Sequence, residues 1–97
     1  MQDDIKMNLF FRSHAIKRMF ERNVKPEDVR HVLATGKAIR EYPDDTPYPS
    51  RLILGWVANK PLHVVVAEDA GTETTIIIMV YEPDPTIWEA DFERKKP

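Results

Sequence analysis

His63 is the residue whose type fits its surroundings least, in the run Pro61-Leu62-His63-Val64-Val65-Val66. An imidazole there costs free energy unless both ring nitrogens are bonded. It is also the side chain that changes charge near neutral pH. Two readings stand: a hydrogen-bonded core histidine, or a general acid or base on a sheet surface. Arg51 and Tyr81, at strand ends, are of types that bind phosphate and donate protons, or that form a surface ion pair and an amphipathic aromatic. His14, Arg18 and Arg22 recur at i, i+4 on one helix and make a polar ridge, with Lys17 one residue around it. That ridge suits a row of phosphates or a solvated helix face. Trp88 and Phe92 could stack bases or plug a sheet edge.

Other chemistries have no footing. The three glycines lie far apart, so no phosphate-cradling glycine loop exists, and there is no serine elbow or H-E-x-x-H spacing. Without cysteine there is neither a disulfide frame nor a thiolate site. His14, His31 and His63 fall on separate elements, so no metal or other cofactor is expected.

Charge is segregated. Residues 12–40 carry eight bases and three acids; residues 41–93 carry two bases and eleven acids; Arg94, Lys95 and Lys96 follow. The basic stretch is either a solvated face or a surface for a polyanion or an acidic partner. The beginning of the chain has no secretory pattern and no apolar run approaches the ~20 residues of a membrane span, so a soluble cytoplasmic protein is expected.

Ninety-seven residues suffice for one domain, spanning 1–97, with residues 1–6 frayed. Met7 to Phe11 reads as a short strand. Ser13 reads as the N-cap of a helix to Arg22, with Ala15, Ile16, Met19 and Phe20 as its apolar stripe. Pro26, Glu27 and Asp28 open a second helix that Gly36 ends in a left-handed turn. Strands follow at 37–42, 51–58, 62–68 and 74–82. The first has Ala38, Arg40 and Tyr42 on one face, and the turns lie at Asn59-Lys60 and Ala70-Gly71. Asp84-Pro85 opens a short C-terminal helix carrying Trp88 and Phe92. The expectation is an α+β fold: two N-terminal helices on a three- to four-stranded antiparallel sheet, then a short helix. Two-residue turns would pair His63 with Trp56 and Ile78 and put Arg51 and Tyr81 on the opposite face. One residue more or less in either turn reverses that grouping. A sheet this apolar also calls for a homodimer or a partner protein to cover it.

The combination of Ser13, His14, Ala15, Arg18, Met19 and Arg22 with Tyr42-Pro43-Asp44-Asp45, Pro49-Ser50-Arg51-Leu52, Pro61-Leu62-His63-Val64-Val65 and Val80-Tyr81-Glu82-Pro83-Asp84-Pro85 resembles a prokaryotic family known only as a domain of unknown function. That family is grouped with toxin-like proteins near the RelE, ParE and BrnT types. The resemblance spans residues 10–94. It implies a RelE-like helix-helix-sheet fold and a small cognate antitoxin, of a zinc-finger type, as partner. It also implies metal-independent RNA cleavage in the manner of an mRNA interferase. Such chemistry needs a base for the 2′-hydroxyl, a cation for the phosphate and an acid for the leaving oxygen. His63, Arg51 or Arg18, and Tyr81 or His14 are the residues available for these roles. The net charge of −2 sets the chain apart from the strongly basic toxins of that fold. The competing expectation is a non-catalytic protein-binding module.

Overall fold

The computed structural model describes residues 8–97. Elements run β1 (Asn8–Phe11), α1 (Ser13–Arg22), α2 (Pro26–Thr35), β2 (Lys37–Tyr42), β3 (Ser50–Val57), β4 (Lys60–Asp69) and β5 (Thr74–Tyr81). They form one five-stranded sheet in the order β1-β5-β4-β3-β2. The β2-to-β5 meander is antiparallel, and β1 adds to β5 in parallel, with Phe11 opposite Ile77. The expected three- to four-stranded antiparallel sheet is therefore corrected to a mixed sheet of five. The strand expected from Met7 to Phe11 is present as Asn8–Phe11 and lies at the edge beside β5; its Met7, and residues 1–6 that were expected to fray, lie outside the described residues.

Both helices cover one face. Ala15 and Met19 of α1 and Val29 and Val32 of α2 close over Ile53, Leu62, Val64, Val66, Ile77 and Val80. Burial of each such aliphatic side chain stabilises the fold by about 1.5–3 kcal/mol. Local signals differ in part from expectation. Arg12, not Ser13, is the N-cap of α1. Asp28 does close the first turn of α2, accepting from the Lys25 N–H at 2.9 Å. Gly36 is extended (φ −83°, ψ −174°) and not left-handed. It must be glycine because a Cβ would come within 2.4 Å of the Leu54 carbonyl oxygen. Gly55 is needed likewise: a Cβ there would meet Val32 Cγ1 at 2.7 Å, so α2 rests directly on bare backbone of β3.

The opposite face is covered by residues 83–97, and here the expected C-terminal helix is absent. Asp84 does cap a single turn, accepting from the Thr86 N–H at 2.8 Å, and the Trp88 N–H reaches the Asp84 carbonyl. The chain then reverses. Asp91 takes the Glu93 N–H, Phe92 adopts φ 57°, and Trp88 bridges antiparallel to Lys95. Two aspartates whose carboxylates bind their own downstream N–H groups favour turns over a continued helix. Trp88 is buried beneath this knot.

Candidate functional site

Two β-bulges decide what this second face presents. The turn between β3 and β4 is Ala58-Asn59, both at positive φ, rather than Asn59-Lys60, so His63 pairs with Leu54. On the other side, Ala67 pairs with Ile76 and Val66 with Ile77, but Val65 pairs with Met79, leaving Ile78 as the extra residue. Past the bulge the alternation of β5 is inverted, and Tyr81 comes opposite His63 on the same face. A second irregularity lies in β2. Ala38 pairs with Ile53, a residue of the helix-side core, whereas Arg40 pairs with Leu52. The extra residue, Ile39, turns Arg40 away from Ala38 and onto the face of His63 and Tyr81. Bulges re-aim side chains in this way at many functional sites. The expected shared face of Ala38 and Arg40 is corrected accordingly, as is the expected grouping of Tyr81 with Arg51 on the face away from His63.

His63 is fully enclosed, at 0% exposure. Its Nε2 lies 2.9 Å from the Phe92 carbonyl oxygen and its Nδ1 lies 3.1 Å from the Tyr81 hydroxyl. The ring meets Trp88 edge to face at a centroid distance of 4.6 Å, and Tyr81 at 5.1 Å. Burial holds its pKa below the ordinary histidine value, opposed by the Phe92 carbonyl. Tyr81 is half-buried, and its pKa is raised by burial and by neighbouring Tyr42, against a lowering by Arg40.

Above Tyr81 opens a depression of about 290 Å³ lined by Arg40, Tyr42, Leu52, Tyr81, Ile87, Trp88 and Lys95. Arg40 Cζ and Lys95 Nζ each lie 5.7 Å from the centre of the Trp88 ring. Among the described residues neither is ion-paired, whereas Lys37, Arg51, Lys60 and Arg94 are bonded to Glu93, Glu68, Glu82 and Asp91. Two uncommitted cations held over one buried indole, beside two phenols, form a pocket for an anion attached to a flat or hydroxylated group.

The other sequence candidates lie elsewhere. Arg51 faces the helix side, bound at 3.0 Å to Glu68, which also accepts from Thr75. His14 lies with Arg12, Ser13, Ile78 and Met79 around a second depression. Arg22 lies with Lys60 and Glu82 in a third. Helix α1 packs on β5, with His14 near Met79 at one end and Arg22 near Glu82 at the other, and Arg18 is exposed between them. Lys17 is exposed on the same helix. Sequence reasoning passed over Arg40, Tyr42 and Lys95. Arg40 and Tyr42, at i, i+2, were read onto one strand face, but nothing in the sequence joined that face to His63 and Tyr81.

With this geometry in hand, comparison with protein families gives one result. The chain belongs to the domain of unknown function family DUF4258, matched over residues 11–82. The DUF4258 match takes in Arg40, Tyr42, His63 and Tyr81 and stops before Trp88, Phe92 and Lys95, so the pocket is part family segment and part C-terminal tail. No match was found among curated proteins or among solved structures. Among the described residues, no helix is long and apolar enough to cross a membrane, and no group of three His, Asp or Glu residues could hold a metal ion.

Proposed function

We propose that this chain binds single-stranded RNA in the Arg40–Lys95 pocket and cleaves it without a metal ion, as the toxin of a toxin–antitoxin pair. The observation that carries this reading is the pair of cations over Trp88, without ion-pair partners among the described residues, beside the Tyr81–His63 couple. Arg40 and Lys95 hold the scissile phosphate and offset the charge that grows on it. The 2′-oxygen attacks phosphorus, the 5′-oxygen leaves with a proton from water, and a 2′,3′-cyclic phosphate remains. The 2′-hydroxyl proton passes to the Tyr81 oxygen as the phenol proton moves to His63 Nδ1, and the Phe92 carbonyl holds the resulting imidazolium. His63 thus acts through Tyr81, because enclosure keeps it from touching RNA. The ridge of Arg18 and Arg22, with Lys17 beside it, guides the flanking strand as it leaves the sheet.

The test is incubation of the purified protein with a labelled single-stranded RNA in excess chelator. Cyclic-phosphate ends that disappear with Arg40→Ala/Lys95→Ala support the reading; intact RNA at high protein concentration refutes the cleavage step. A second reading, a module that docks a partner protein without catalysis, is favoured by the exposure of Phe20 at 89% and Ile16 at 54% on one side of α1. Inert RNA, together with self-association or partner binding lost in Phe20→Ser, would select it.

A further inference from the structure

Hydrogen-bond polarity around His63 leads to a statement about which sugar the pocket reads. The Phe92 carbonyl oxygen can only accept, so His63 Nε2, 2.9 Å away, must carry the ring proton. The imidazole is neutral because it is enclosed, so Nδ1 is a bare acceptor. The Tyr81 hydroxyl, 3.1 Å from Nδ1, must therefore donate to it. A phenol has one proton. With that proton committed inward, the Tyr81 oxygen keeps only lone pairs for a further partner, and Tyr81 lines the pocket together with Arg40 and Lys95. The pocket thus offers two cationic donors for an anion and one fixed acceptor.

We infer that Tyr81 is the specificity-determining residue for ribose: its oxygen accepts a hydrogen bond from a 2′-hydroxyl whose neighbouring phosphate lies on Arg40 and Lys95. This rests on the RNA-binding reading above and adds to it the atom that separates RNA from DNA. A tyrosine free to rotate its proton would serve a donor or an acceptor equally. Here the Phe92 carbonyl, acting through the imidazole, removes that choice. The 2′-hydroxyl is the group by which proteins distinguish the two nucleic acids, and only a ligand hydroxyl able to donate satisfies this oxygen.

The test is fluorescence polarisation with three labelled eight-residue oligonucleotides: oligouridylate, its 2′-fluoro form and the deoxy form. The 2′-fluoro sugar keeps the RNA-like pucker and carries no donor. The wild-type chain should bind oligouridylate about tenfold more tightly than either of the others, the size of one neutral hydrogen bond. In Tyr81→Phe that ratio should fall to near one, mainly through weaker binding of oligouridylate. Equal binding of all three by the wild type would overturn the inference and leave the phosphate-binding reading standing. So would a preference for ribose that Tyr81→Phe retains. Binding of none of them would overturn both. Comparing the three probes on the wild-type chain keeps the test decisive if Tyr81→Phe fails to fold.

Discussion

Lowering the pH should destabilise the fold through His63. The perturbation is a shift from pH 7.5 to pH 5.5, on the wild-type chain and on His63→Gln. Burial depresses the pKa of His63 in the folded state, while in the unfolded chain it titrates near the ordinary value of about 6.5. Above that value neither state holds the proton and stability is at its full level. Below it the unfolded chain takes up a proton that the folded chain refuses, so stability falls as pH drops toward the depressed folded value. At pH 5.5 the loss has a ceiling of about 1.4 kcal/mol, one unit below the unfolded value at 1.36 kcal/mol per unit, reached when the folded imidazole stays neutral. In a domain of this size that corresponds to a fall of about 6–11 °C in Tm. The aspartates with lowered values, Asp69, Asp84 and Asp91, titrate below the usual carboxylate range and act only in stronger acid. His63→Gln retains a donor and an acceptor but loses the edge-to-face contact with Trp88, at a cost of about 1–2 kcal/mol. Its melting temperature should lack the wild-type drop between pH 7 and 5.5. Thermal melts followed by circular dichroism measure both. The same pH dependence in the two proteins would refute the assignment of a neutral, buried His63.

Arg40→Ala/Lys95→Ala should lower RNA affinity and reduce the slope of log K against log salt by about 0.7, the contribution of the one single-strand phosphate that the two cations share. Arg18→Ala/Arg22→Ala should reduce affinity and slope similarly while changing stability by under about 0.5 kcal/mol; a variant that melts early yet binds as before would make Arg18 and Arg22 structural instead. Gly55→Ala should cost about 1–3 kcal/mol, because the new methyl meets Val32 where α2 rests on β3; denaturant unfolding tests this, and an unchanged midpoint would show that α2 can shift.

Much of the fold was legible residue by residue. Pro26 and Asp28 set the start of α2, and the branched runs of β3, β4 and β5 marked the strands. The C-terminal segment was misread because Asp84-Pro85 signals a first turn and says nothing of whether a second follows. Asp91 and the left-handed Phe92 end it. The parallel docking of β1 has no local signal, since four residues reach across the chain to β5. For the site, His63 and Tyr81 stood out by type, yet their meeting depends on the bulge at Ile78. In the run Ile76-Ile77-Ile78 no residue announces itself as the unpaired one. Arg40 was hidden for the same reason, by the irregularity at Ile39. Parity along a strand can be read from sequence only while pairing stays regular.

The parallel pairing of β1 with β5 also fixes an order of assembly. Strand β1 and helix α1, which leave the ribosome first, find their seats on β5, synthesised more than sixty residues later. Until then α1 has no apolar surface on which to settle, and a ten-residue helix is marginal alone in water. The β3-β4-β5 meander and α2, joined by short connections, can form first, so the transition state for folding should be polarised toward the C-terminal half. Until β5 is made, the N-terminal segment stays unseated, with Leu9, Phe11, Ala15 and Met19 as the apolar side chains it later buries. A nascent copy is therefore most open to a chaperone, or to a neighbouring copy on the same message, just before its last strand emerges.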